Sequence, residues 1–170
     1  MKKFLMIAVM AICSLTMNAQ DAKMAVGVNL GYAPTLTKIG DWKYSPMIIG
    51  AKFQYEFVEN IRAELAANMF TKKDDHGLWD AELNFHYLFP VADGIKVYPA
   101  AGAVFMGTTG DGDKENGFGF NVGAGVEYYV TESIKLNADV KYLSVSKKKD
   151  GYKVIDASGV TIAIGAAYCF

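Results

Sequence analysis

The sequence predicts an all-β fold, an eight-stranded antiparallel up-and-down transmembrane β-barrel. Three observations carry that prediction. In each of eight segments the larger apolar residues fall on one parity, and because a strand points successive side chains to opposite faces, this describes a sheet with two unlike sides. The connections between the segments alternate between short and long, and aromatic residues gather at the segment ends.

Residues 1–20 precede the barrel. Lys2 and Lys3 give a positive start, Phe4 to Met17 an apolar run, and Asn18, Ala19 and Gln20 a small and polar close. This is the pattern of a secretory signal peptide, with cleavage expected near Ala19 or Gln20, leaving residues 21–170 as the barrel. The run is shorter than the roughly 20 apolar residues a spanning helix needs.

The first segment, residues 23–33, opposes Met24, Val26, Val28, Leu30 and Tyr32 to Gly27, Asn29 and Gly31. The second, 47–57, sets Met47, Ile49, Ala51, Phe53, Tyr55 and Phe57 against Gly50, Lys52, Gln54 and Glu56. In the third, 61–69, Ile61, Leu65 and Met69 oppose Arg62, Glu64 and Asn68. The fourth, 79–89, alternates Trp79, Leu83, Phe85, Tyr87 and Phe89 with Asp80, Glu82, Asn84 and His86. The fifth, 95–105, contains Pro99, which cannot donate to a ladder and predicts a local irregularity. The sixth, 118–128, opposes Phe118, Phe120, Val122, Val126 and Tyr128 to Asn121, Glu127 and three glycines. The seventh, 134–142, opposes Ile134, Leu136, Val140 and Tyr142 to Lys135, Asn137, Asp139 and Lys141. The eighth, 159–170, carries Val160, Ile162, Ile164, Tyr168 and Phe170 on one parity.

Connections 58–60, 90–94 and 131–133 are short, whereas 34–46, 72–77, 107–116 and 146–158 are longer and more polar. A membrane barrel sorts its turns in this way, short on the periplasmic side and long outside. The charged parity, Lys52, Glu56, Arg62, Glu64, Asp80, Glu82, Lys96, Glu127, Lys135, Asp139 and Lys141, also holds most of the strand glycines. Small residues beside charges suit a narrow interior, which eight strands leave just wide enough to be filled by side chains. Those eleven charges are therefore expected to line the interior and neutralise one another. Turns centred on Glu59 and Thr131 would place Glu56 opposite Arg62 and Glu127 opposite Lys135. Tyr32, Trp79, Phe105, Phe118 and Tyr142 would form an outer aromatic belt, and Tyr55, Phe57, Tyr87, Phe89, Tyr128, Tyr168 and Phe170 a periplasmic one.

Composition narrows the function. Without Lys2 and Lys3, acids exceed bases by about three, so there is no basic excess for nucleic acid. Cys169 is the one cysteine beyond the signal, which leaves no internal disulfide to form.

The signal peptide, the stretch Gly117-Phe-Gly-Phe-Asn-Val-Gly-Ala-Gly-Val-Glu-Tyr-Tyr, the motif Lys135-Leu-Asn-Ala-Asp-Val-Lys-Tyr142 and the terminal Gly165-Ala-Ala-Tyr-Cys-Phe170 resemble the small outer-membrane β-barrel family. That family includes the membrane domain of outer-membrane protein A and related porin-like proteins, and the likeness covers the whole chain beyond the signal. It implies residence in the cell outer membrane and a last strand read by the barrel-assembly machinery through Gly165, Tyr168 and Phe170. Ala163 occupies a place usually polar in that signal.

Candidate chemistry is sparse. Asp74, Asp75 and His76 share a loop and His86 lies on the inward parity of another segment, an arrangement better read as a solvated loop than as a catalytic site. Residues 111–117 alternate oxygen-bearing side chains like a calcium loop, but Asn116 replaces the required glycine and Val122 the closing glutamate. No enzyme activity, cofactor or metal is expected. The expected role is structural or surface-interacting, carried by the outer loops, with a narrow porin-like channel for small solutes as the alternative. Outer-membrane lipid and lipopolysaccharide, which Lys147, Lys148 and Lys149 could meet, and an unidentified surface ligand are the expected partners of a monomer.

Overall fold

The computed structural model describes residues 23–34, 36–39, 42–43, 45–71, 77–109, 115–149 and 152–170. The expected signal peptide and the Asp74, Asp75 and His76 cluster lie outside these residues. Among the described residues there are eleven strands: β1 (Lys23–Tyr32), β2 (Thr37–Ile39), β3 (Trp42–Lys43), β4 (Met47–Val58), β5 (Ile61–Phe70), β6 (Gly77–Tyr87), β7 (Phe89–Ala92), β8 (Ile95–Thr109), β9 (Asn116–Tyr129), β10 (Ile134–Lys149) and β11 (Tyr152–Cys169). The eight long ones form an antiparallel ring in the order β1-β4-β5-β6-β8-β9-β10-β11. The ring closes where β11 pairs with β1, from Ala25 opposite Cys169 to Tyr32 opposite Ile162.

Burial decides which face is inside. Leu83 is 42 % exposed and Ile164 63 %, while Arg62 and Glu127 are 1 % exposed and Lys135 3 %. The apolar parity thus faces outward and the charged parity inward, the inverse of a soluble barrel. A glycine interior is a consequence of that geometry: a methyl group added to Gly125 would come within 2.5 Å of the Tyr98 ring and of the Asp139 carboxylate.

The aromatic residues meet one another at both ends of the wall. Trp79 packs edge-on against Phe105, whose ring lies 4.7 Å from Phe118. At the other end Tyr55 neighbours Phe57, Tyr87 neighbours Phe89, and Tyr168 neighbours Phe170. From Phe118 to Tyr128 along tilted β9 is an axial height of about 25 Å, which matches the apolar band of a membrane barrel.

The turns set the register. Glu59 and Asn60 link β4 to β5, with Asn60 at a φ of 64°, a left-handed conformation that asparagine tolerates better than most residues. Glu56 lies opposite Arg62 there. In the β9–β10 hairpin the expected register is corrected by two residues: Glu127 faces Asn137 and Lys135 faces Tyr129. The reason is local, since the Thr131 hydroxyl accepts the backbone N–H groups of Ser133 and Ile134 and widens the turn beyond a tight hairpin. Both residues stay on the inward face.

Strand lengths differ from expectation at the long-loop end. The connection expected over 107–116 is shortened because β8 continues to Thr109 and β9 begins at Asn116; that over 146–158 is mostly ladder, with Ser146 opposite Asp156. The connection 34–46 contains β2 and β3, and Thr37 pairs with Ser158 of β11. β10 therefore rises roughly 20 Å beyond Tyr142 before it turns. The irregularity expected at Pro99 falls in its neighbour: β8 is continuous, with Pro99 opposite Ala124, but on its other side β6 ends at Tyr87 and β7 starts at Phe89. Where that ladder is interrupted, a missing donor costs little.

Candidate functional site

Apolar clusters and a charged network fill the lumen. At the long-loop end, Ile48, Phe70, Leu78, Val104, Met106, Leu143, Val145 and Ala157 point inward and join Ala33 and Leu36 in one buried apolar cluster, none of them more than 7 % exposed. This layer plugs the barrel. At the short-turn end, Leu88, Tyr98 and Ala100 make a smaller buried cluster. The charged residues lie beneath the plug and surround this smaller cluster, where Tyr98 bonds to Asp139 and stacks on His86.

The charges are tied across the barrel rather than only along its wall. Arg62 on β5 donates to Glu127 on β9 at 2.6 Å, and Lys141 on β10 donates to Glu82 on β6 at 2.5 Å. Lys52 on β4 donates to Asn137 on β10 at 2.7 Å and stands 4.0 Å from Glu64. Each of the three bonds joins strands three places apart in the ring of eight, so they cross-brace nearly opposite walls. Glu127 also receives Lys135 at 3.2 Å, and therefore serves two cations.

Neutral donors complete the network. Glu64 accepts from Gln54 at 2.7 Å and from Asn84 at 3.2 Å; Asn84 also donates to Glu82 and accepts from Asn121. Asp80 accepts from Asn68 at 2.8 Å, and Asp139 accepts from the Tyr98 hydroxyl and from Asn137. Among the described residues neither aspartate has a cation within ion-pair distance. The Arg62 guanidinium lies 4.9 Å above the Tyr98 ring and donates to Nδ1 of His86, whose ring stacks on Tyr98. His86 Nδ1 is thereby an acceptor in a brace.

The family described as the outer membrane protein β-barrel domain matches residues 4–170. The chain belongs to that family. No curated protein sequence matches it. Among solved structures it is similar to Neisserial surface protein A, at 15 % identity and a TM-score of 0.69, covering 88 % of this chain and 97 % of that one. It also resembles the outer membrane protein OprG of Pseudomonas aeruginosa, at 16 % identity and a TM-score of 0.62 over 88 % and 95 % of the two chains. A third is Ail, the attachment invasion locus protein of Yersinia pestis, at 17 % identity and 0.54 over 88 % and 97 %. At these identities the likeness concerns the fold.

In an outer-membrane barrel the short turns face the periplasm and the long loops face outward. The apolar plug therefore closes the outer mouth. Toward the periplasm the lumen instead opens into a cavity of about 530 Å³ bordered by Glu56, Arg62, Lys96, Tyr129 and Lys135. Glu56 and Lys96 stand 4.0 Å apart there, the same separation as Lys52 and Glu64. Glu56, although opposite Arg62 in register, accepts the backbone N–H of Asn60, while Arg62 reaches past it to Glu127.

Of the eleven charges singled out from the sequence, nine thus take part in the buried network, and Glu56 and Lys96 edge the periplasmic cavity. Gly165 lies on the inward parity between Asn29 and Asn137, and Tyr168 and Phe170 face outward at the periplasmic rim. Sequence reasoning missed the neutral connectors Gln54, Asn68, Asn84, Asn121 and Asn137, and the plug. Their signal was present, because every connector shares the parity of the charges. The plug residues share it too, on strand ends lying beyond or at the margin of the expected segments.

Proposed function

We propose that this is an exported outer-membrane barrel with a structural or surface-interaction role carried by its outer loops. The observation that carries the reading is the apolar plug over a cross-braced lumen: ten side chains, each at most 7 % exposed, stand between the charged layer and the outer mouth. A diffusion path needs a continuous polar track, and burying ions behind an apolar barrier opposes one. The tall β10–β11 hairpin adds surface outside the membrane, where Lys147 is held by Glu115 at 2.6 Å. Two of the proteins of similar fold are named a surface protein and an attachment invasion locus protein, which agrees with this reading.

Export through residues 1–20, recognition of Gly165, Tyr168 and Phe170 by the barrel-assembly machinery, contact of the outer lysines with lipopolysaccharide, and a monomeric state are parts of the same proposal. Single-channel recording in planar bilayers tests it. The expected trace for the full barrel is flat; reproducible conductance abolished by Lys52→Met or Glu82→Gln would replace this reading with the narrow channel.

A further inference from the structure

The wall of the barrel is not uniform around the ring. Each of β4, β5, β6, β8, β9 and β10 carries at least one charged residue on its inward parity, whereas from Ala25 to Gly31 on β1 and from Gly159 to Cys169 on β11 that parity holds none. Every ion pair of the barrel network, among the described residues, lies between two of those six strands. β1 and β11 are neighbours, paired from Ala25 opposite Cys169 to Tyr32 opposite Ile162. The two chain ends therefore form a panel that sits in the wall by its ladders, without a charged brace of its own.

One bond of the network passes behind that panel. The ring runs β4-β1-β11-β10 there, and the Lys52 ammonium on β4 donates to Asn137 Oδ1 on β10 at 2.7 Å. Neighbouring strands lie about 4.8 Å apart, so β4 and β10 are separated by about 14 Å along the sheet, and Lys52 cuts across that arc through the lumen. The panel is hollowed to let it pass. Lys52 lies opposite Gly27, and Asn137 lies opposite Gly165. A methyl group added to Gly165 would come within 2.7 Å of Asn137 Oδ1, the atom that accepts Lys52. Both ends of the bridge are tied into the network, since Lys52 stands 4.0 Å from Glu64 and Asn137 donates to Asp139. The β1–β11 ladder is also the shortest of the three that hold the panel: β1 pairs with β4 from Lys23 to Tyr32, and β10 pairs with β11 as far as Lys149.

We infer that the Lys52–Asn137 bond is an internal clasp for barrel closure: it holds β4 and β10 at the separation that lets β1 and β11 complete the ring, and the β1–β11 seam is where the wall opens when the clasp is lost. Lys52 and Asn137 act here as positioning residues. The inference is independent of the surface role proposed above.

The test is amide hydrogen exchange of the full barrel in detergent micelles, read by NMR, with the β1–β11 ladder compared against the β5–β6 ladder. In Lys52→Met and in Asn137→Ala the seam is expected to exchange about tenfold faster, the worth of one hydrogen bond to a charged group, while the β5–β6 ladder changes much less. The two variants break the clasp from opposite sides, and Asn137→Ala leaves Lys52 beside Glu64. Lys141→Met, which removes the brace from β10 to Glu82 on β6, is the control and is expected to leave the seam near its wild-type rate. Heat-dependent gel mobility verifies that each variant is folded. Equal acceleration of the two ladders, a seam unmoved by either clasp variant, or a seam moved as far by Lys141→Met would overturn the inference.

Discussion

Glu127 is the position at which the energetics of the lumen can be tested most sharply, because its carboxylate is shared. It receives Arg62 at 2.6 Å and Lys135 at 3.2 Å, and all three residues are at most 3 % exposed. Glu127→Gln keeps the shape and removes the charge, leaving two buried cations facing each other without a counter-ion. Arg62→Met removes one cation and leaves Glu127 still paired with Lys135. Breaking a buried pair by deleting one partner costs about 3–5 kcal/mol, so Glu127→Gln belongs at or above the top of that range. Arg62→Met should cost about 2–3 kcal/mol, because the surviving pair and the loss of a bond to His86 act in opposite directions. Adding Lys135→Met to Glu127→Gln removes the second orphan cation and should restore part of the loss. Urea unfolding of the barrel in lipid vesicles, followed by tryptophan fluorescence, measures the order. If Arg62→Met proves the more damaging change, or the two agree within about 0.5 kcal/mol, the lumen is hydrated well enough to screen these ions and the reasoning fails.

Three further changes separate wall, interior and plug. Leu83→Arg, on the outward face at mid-height, should lose about 2–4 kcal/mol in the same unfolding assay, and Tyr128→Arg at the periplasmic belt about 0–1 kcal/mol; equal losses would contradict the membrane depth assigned to them. Gly125→Ala should destabilise by about 1–3 kcal/mol through its collision with Tyr98 and Asp139, whereas Ala124→Gly on the lipid side should change stability much less. The double variant Met106→Ala and Leu143→Ala should leave a barrel with heat-dependent gel mobility that leaks ions from loaded vesicles; a wild-type barrel that leaks equally would refute the sealing role of the plug.

Period-two alternation was enough to read the wall because lipid penalises each misplaced residue separately, so every segment carries the same signal independently. Register was harder. The Glu59–Asn60 link is a two-residue turn and its centre can be counted from the sequence, but the hydrogen bonds of Thr131 shift the next hairpin, and a hydroxyl accepting two backbone donors is a tertiary detail of one loop. Ion partners were harder still, since Arg62 ignores its cross-strand neighbour Glu56 for Glu127 across the lumen. A wall pattern holds no information about the far side of a cylinder. The plug was missed for a different reason: at Leu143 and Val145 both parities are weakly polar or apolar, so alternation fades where the strand leaves the membrane while the strand itself continues.

That fading has a physical meaning. Within the bilayer, an outward residue must be apolar and an inward one is free to be charged, so the two parities diverge. Above it, the outer surface of the wall meets water and the interior must be capped, so the inward parity becomes apolar, as at Ile48 and Phe70, which lie opposite each other, and at Leu78, Val104 and Met106. The inward face thus runs from apolar at the outer mouth through braced charges to an open, incompletely satisfied vestibule beneath. Such a gradient makes the barrel one-sided. Charges that would attract solutes from outside are shielded by about a layer of hydrocarbon side chains, while those at Lys96 and Lys135 remain within reach of the periplasm. Glu56 holds Lys96 less closely than Glu82 holds Lys141, so the periplasmic end is where the lumen's charges are least constrained by one another and most by water.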